Sequence, residues 1–160
     1  MSGASAVNLQ GQGTELVVSP NGQEYALVAR GEVFVVSAKT GQTRRITSTA
    51  AEERHVSFAP DGRSLIYASE RNGQWDVMQA RLRRDQDSGF SGASPFDESV
   101  LVGGEADTFQ PLLSPDGQRL AYRQDRVTVR VMDLKTRQSV EVLDRGSVYS
   151  YEEDDLHFAW

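Results

Sequence analysis

Ser19-Pro20-Asn21-Gly22, Ala59-Pro60-Asp61-Gly62 and Ser114-Pro115-Asp116-Gly117 are three copies of one phrase, each followed two residues later by apolar strand formers. The chemistry of the phrase is that of a tight turn. Proline presets φ at the first central position, Asp or Asn suits the second, and glycine accepts the left-handed conformation. A first strand precedes each turn (Leu16-Val17-Val18, Val56-Ser57-Phe58, Leu112-Leu113), and a second follows it (Tyr25 to Val28, Leu65 to Ala68, Leu120 to Tyr122). Pro20, Asn21, Gly22, Pro60, Asp61, Gly62, Pro115, Asp116 and Gly117 are therefore assigned as structural turn residues.

Working outward, a third strand recurs as Val33 to Val36, Asp76 to Gln79 and Val127 to Val131. A fourth recurs as Arg44-Arg45-Ile46-Thr47, Ser99 to Val102 and Val140 to Leu143. Asn72-Gly73 is a hairpin signal between the second and third strands of the middle repeat. The prolines at 20, 60 and 115 stand 40 and 55 residues apart, close to the roughly 40 to 50 residues of a propeller blade. The longer interval has a cause in Arg83 to Asp97, a polar, small, breaker-rich stretch that reads as an enlarged loop.

Strands such as Ala26-Leu27-Val28-Ala29 are apolar on successive residues, the pattern of a sheet covered on both faces. A propeller blade meets that condition because a neighbouring blade packs on each face. The expected fold is all-β: a β-propeller fragment of about three four-stranded antiparallel meander blades plus the first strand of a fourth. The blades are placed at about 13–48, 53–104 and 107–146, with the next beginning at 149–160 and 1–12 set apart as a linker or appended start. Leu156-His157-Phe158-Ala159-Trp160 has the form of another first strand, so the chain reads as a fragment of a longer protein or a unit that assembles from copies. Thr49-Ala50-Ala51-Glu52-Glu53 is expected to form at most one helical turn.

With 38% hydrophobic and 25% charged residues the chain has globular composition. Its net charge of -6 argues against nucleic acid, whose binding needs clustered Lys and Arg. The absence of cysteine excludes disulfides and thiolate metal sites. No apolar run reaches the roughly 18 residues of a membrane span, and Met1 to Gln12 lacks the regions of a signal peptide.

The Ser-Pro-Asp-Gly repeat resembles the propeller repeats of tricorn protease, the Tol-system translocation protein and prolyl-oligopeptidase relatives. Arg30 to Val35, Arg44 to Thr47, Glu53 to Phe58, Ser69 to Asp76, and Tyr149-Ser150-Tyr151 leading to Phe158-Ala159-Trp160 resemble the propeller of tricorn-like serine peptidases more narrowly. That resemblance implies a non-catalytic propeller that guides or gates peptides, with remaining blades and a separate peptidase region as its partners. It also implies a lean towards the periplasm or cell envelope, with the cytoplasm open. The alternative is a protein-interaction propeller of the Tol-system type.

No catalytic, cofactor or metal residue is assigned. His55 and His157, the only histidines, lie in first-strand positions with no nucleophile motif, so they read as structural. Glu152-Glu153-Asp154-Asp155 reads as a solvated loop rather than a calcium site, and Gly103-Gly104 lacks the lysine of a phosphate loop. Arg81, Arg83 and Arg84 are offset by Asp85 and Asp87, and Trp75 and Trp160 read as packing between blades. Uncovered outer faces on the first and last blades imply a possible homodimer, three blades with three.

Overall fold

The computed structural model describes residues 13–71, 73–125, 128–143 and 158–160. The described residues form twelve strands and no helix. The first sheet holds β1 (Gly13–Val18), β2 (Glu24–Ala29), β3 (Glu32–Ser37) and β4 (Thr43–Arg45); the second holds β5 (Glu53–Phe58), β6 (Ser64–Arg71), β7 (Gln74–Leu82) and β8 (Phe96–Val102). The third holds β9 (Thr108–Leu113), β10 (Arg119–Gln124), β11 (Thr128–Asp133) and β12 (Ser139–Leu143). Each sheet is an antiparallel meander in chain order.

The three turn phrases close the β1–β2, β5–β6 and β9–β10 hairpins. Gly22, Gly62 and Gly117 adopt φ of 71°, 67° and 71°, and each glycine N–H donates to the carbonyl three residues back, of Ser19, Ala59 or Ser114. The second turn residue ties the corner from its side chain: Asn21, Asp61 and Asp116 Oδ1 accept the N–H of Gln23, Arg63 and Gln118. The Ser114 hydroxyl and the Gln118 N–H hold the Asp116 carboxyl below its ordinary pKa. The turns also touch one another. A methyl placed on Gly62 would meet Pro20 Cδ at 3.8 Å, and one on Gly117 would meet Pro60 Cδ at 3.6 Å, so each proline rests on the glycine of the following blade.

The sheets stack in sequence order, with β5 against β1, β2 and β3, and β9 against β5, β6 and β7. First strands therefore lie innermost, around a common axis. The middle sheet is covered on both sides, and its alternating side chains divide between two cores. Leu65 and Tyr67 join Val28, Val35, Met78 and Phe90 towards the first sheet. Ile66 and Val77 join Leu120, Tyr122 and Met132 towards the third. Full burial of each such side chain contributes about 1.5–3 kcal/mol. The outward faces of the end sheets remain apolar, as Leu16, Val18, Val140 and Val142 show. Trp160 stands beside β9, its indole N–H donating to Leu112 O at 3.1 Å.

Residues 83–95 form the enlarged loop expected between the third and fourth strands of the middle sheet, with Phe96 and Asp97 belonging to β8, and the loop packs as a strap against the first sheet. Phe90 is fully buried between the first two sheets. Arg44 Nη1 donates to the carbonyls of Phe90, Gly92 and Ser94 at 3.1, 2.9 and 2.5 Å, while the Ser91 N–H donates to Glu24 Oε1 at 2.7 Å. A Cβ on Gly89 would stand 2.5 Å from that carboxylate, so a side chain there would have to displace Glu24. Around this strap Arg83 and Arg84 are exposed and paired with Asp97 and Asp87.

No helical turn forms at residues 49–53, where residues 49–51 bend and Glu53 opens β5. β4 ends at Arg45 rather than running to Thr47, because the N–H groups of Ile46 and Thr47 both turn to Val33 O. His157, the acidic run 152–155, Asn72 and 149–151 lie outside the described residues.

Phe90→Ala should cost about 3–5 kcal/mol of unfolding free energy in urea denaturation, as a large buried aromatic does. Gly117→Ala, forced into a left-handed conformation, should cost about 1–2 kcal/mol; values near zero for either would contradict these assignments.

Candidate functional site at the axial mouth

Aligning the blades on their turn prolines places Glu15, His55 and Gln110 at one position, five residues before the proline on the innermost strand. Strand pairing is irregular at this level in every blade, with shifts between Gly13 and Glu15, between Arg54 and Ser57, and where Ala121 and Arg123 meet Leu112 and Phe109. His55 and Gln110 have φ of 58° and 54°, a conformation that non-glycine residues seldom adopt and that concentrates at functional positions. All three lie near the end of the axis opposite the proline turns.

The bulges are joined from blade to blade. Both oxygens of Glu15 accept backbone N–H groups of the next blade, from His55 at 2.8 Å and Val56 at 3.0 Å. Successive N–H groups at such a bend form an anion-binding concavity, here filled by the protein's own carboxylate. In the third blade Pro111 follows Gln110, which removes one donor of the equivalent concavity. There the guanidinium of Arg123 donates to Gln110 Oε1 at 3.2 Å and lies 5.1 Å from the centre of the Phe109 ring.

His55 stands between these two arrangements. Its Nδ1 is buried without a hydrogen-bond partner. Burial lowers its pKa, the charges of Arg54 and Arg123 lower it further, and Glu15 opposes them. Among the described residues no nucleophile is hydrogen-bonded to Nδ1 of this imidazole, the only one they contain. On the adjoining rim Arg54 lies 5.5 Å from the Trp75 ring centre and pairs with Glu52. Trp75 was expected in the packing between blades. It is half-buried on this rim instead, its backbone N–H bound to Asp107 at 3.0 Å.

A buried polar network supports the mouth. Glu53, fully buried, accepts hydroxyl hydrogen bonds from Thr47, Thr49 and Ser69 at 3.1, 3.0 and 2.9 Å. Burial raises its pKa against the effect of those hydroxyls and of Arg71. Arg71 and the Tyr67 hydroxyl both donate to Glu98. Burial works against the Glu98 charge, but these donors hold its pKa below the ordinary carboxylate range. The carboxylates of this network are hydrogen-bonded, whereas Arg71 Nε and Nη2 are buried without a hydrogen-bond partner. Among the described residues no three His, Asp or Glu side chains gather as a metal site. The assigned turn residues all lie at the opposite rim, where they hold the hairpins.

The sequence reading passed over Glu15, Gln110 and Arg123. For Glu15 and Gln110 the available signal was the recurrence of a polar residue five positions before each proline.

No family model matches the chain. The Tol-Pal system protein TolB of Bordetella pertussis is 38% identical over 52 residues, 32% of this chain and 12% of that protein; that of Bordetella parapertussis matches to the same extent. Among solved structures, TolB from Acinetobacter baumannii superposes with a TM-score of 0.61 at 20% identity, covering 81% of this chain and 32% of that one. A protein described as TolB from Agrobacterium tumefaciens gives 0.59 at 19%, covering 78% and 46%. The chain thus spans less than half of each of these proteins, and its fold is that of a TolB-like β-propeller fragment.

Since the folded protein disfavours charge on His55, its contribution to stability is present above the ordinary histidine pKa and is lost as pH falls through the lowered folded value. His55→Gln, which installs the residue used at this position by the third blade, should flatten the loss of melting temperature below about pH 6.5. An unchanged slope in the variant would show that His55 is not its source.

Proposed function

We propose that the chain is part of a protein-interaction propeller of the Tol-system type, docking a protein partner at the axial mouth and its rim. The observation that carries this reading is the mouth itself. Charged and aromatic groups from three blades (Glu15, His55, Arg54, Trp75, Phe109 and Arg123) are fixed there by bulges and by a buried network. Arginine and tryptophan beside one another are the side chains that anchor interfaces. The TolB-like fold and the matches to TolB proteins favour this reading over the peptidase-guiding role that the tricorn resemblance implied, for which the comparisons lend no support. A place in the cell envelope follows from the same reading, as does the covering of the two apolar end faces by further sheets.

The partner for the first test is Pal, the component for which the relatives' system is named, taken from the organism that encodes this chain. Calorimetric titration should give saturable binding. Arg54→Glu should weaken it at least about tenfold, a loss of roughly 1.4 kcal/mol, while Lys39→Glu on the opposite rim should leave it unchanged. Absence of binding, or equal loss in both variants, would overturn the proposal.

A further inference from the structure

The two spaces between neighbouring sheets are built alike but filled differently. Between the first and second sheets, on the side of the proline turns, the strap of residues 83–95 inserts Phe90, and Glu24 and Arg44 hold its main chain. Between the second and third sheets the corresponding β11–β12 connection is only residues 134–138, too short to reach back. An open cleft of about 330 Å³ remains there.

Strand register shows that this cleft stands where the strap would sit. Glu24 pairs with Ser37 as Ser64 pairs with Arg81, and Val35 pairs with Arg44 as Gln79 pairs with Ser99. Serine therefore occupies both positions whose counterparts retain the strap. Ile66, Leu101, Leu113 and Leu134 provide an apolar floor, continuous with the core between these sheets. Within the cleft the Gln79 amide donates to Ser64 Oγ at 3.1 Å, and two guanidinium donors stand beside it: Arg81, exposed and without a partner among the described residues, and Arg137, which already reaches Leu101 O at 3.2 Å.

We propose that this cleft docks an extended segment of a partner protein, inserting one phenylalanine-sized apolar side chain while the two arginines take its main-chain carbonyls. The strap is the intramolecular precedent for each part of the arrangement: an aromatic anchor on an aliphatic floor, and a guanidinium gathering consecutive carbonyls. Size agrees, since a cavity of about 150 Å³ holds a benzene ring, and the cleft has room for a ring with adjoining backbone. The site is separate from the axial mouth and does not depend on what binds there.

The probe is a synthetic peptide with the sequence of residues 86–95, Gln-Asp-Ser-Gly-Phe-Ser-Gly-Ala-Ser-Pro, titrated into the isotope-labelled full chain and followed by amide chemical shifts. Saturable shifts are expected at Gln79, Leu101, Gly117 and Leu134. Replacing the peptide's phenylalanine with alanine should weaken binding about tenfold or more, given the burial of one aromatic side chain. Arg81→Ala, a change at an exposed position, should weaken it severalfold without altering the spectrum of the free protein. Shifts confined to Arg44, Phe90 and Gly92 would mean displacement of the native strap and would overturn the proposal. So would shifts at Arg54, His55 and Trp75 alone, which would place the peptide at the mouth, or no shifts at millimolar peptide.

Discussion

A four-stranded sheet whose side chains are apolar on both faces is stable in water only between two other sheets, and that constraint governs this molecule. It explains why β6 carries no polar residue from Leu65 to Ala68 apart from the Tyr67 hydroxyl, which donates to Glu98. It also explains why successive residues of one strand belong to different cores. Stability is then shared between neighbours, as in other repeat architectures where each unit contacts only the next. The turn phrase makes the arrangement possible. By fixing hairpin register it decides which residues face forward and which back, and a slip of one residue would exchange the two faces.

The architecture was legible because it rests on local chemistry repeated three times. A proline, an Asp or Asn and a glycine dictate a corner wherever they occur, and the spacing of the corners yields the blades. Less was legible where long-range contacts override local composition. Residues 83–95 are small and polar, and nothing nearby announces that Phe90 reaches the core between two sheets or that Arg44, some fifty positions earlier, binds three carbonyls of the segment. The candidate site was less legible still. The conformation of His55 and Gln110 depends on partners in other strands, and the role of Glu15 appears only when the blades are stacked. The fine resemblance to tricorn-like peptidases rested on strand and turn segments, which build the sheets, so it carried the fold and not the function.

The two ends of the axis differ in character as a result. At the proline end, structure is repetitive and closed by main-chain bonds, with one strap and one open cleft breaking the repetition. At the opposite end, each blade contributes a different polar side chain to the same level: a carboxylate, an imidazole and an amide. Repetition supplies the frame, and variation at one position within it supplies the surface.

The contacts between turns give the stack a direction. Pro20 rests on Gly62 and Pro60 on Gly117, and Glu15 likewise reaches forward to the next blade's backbone. Each contact between turns thus joins a proline of one blade to a glycine of the next, a head and a tail, and the first pair of blades adds a carboxylate that meets a main-chain bend. Units joined head to tail add in one sense only and cannot pair face to face through the same surfaces. An exchange of two blades, or a duplication within the chain, preserves the join only if each unit keeps its orientation, so the repeat can be lengthened or shortened by whole blades without redesigning the joint.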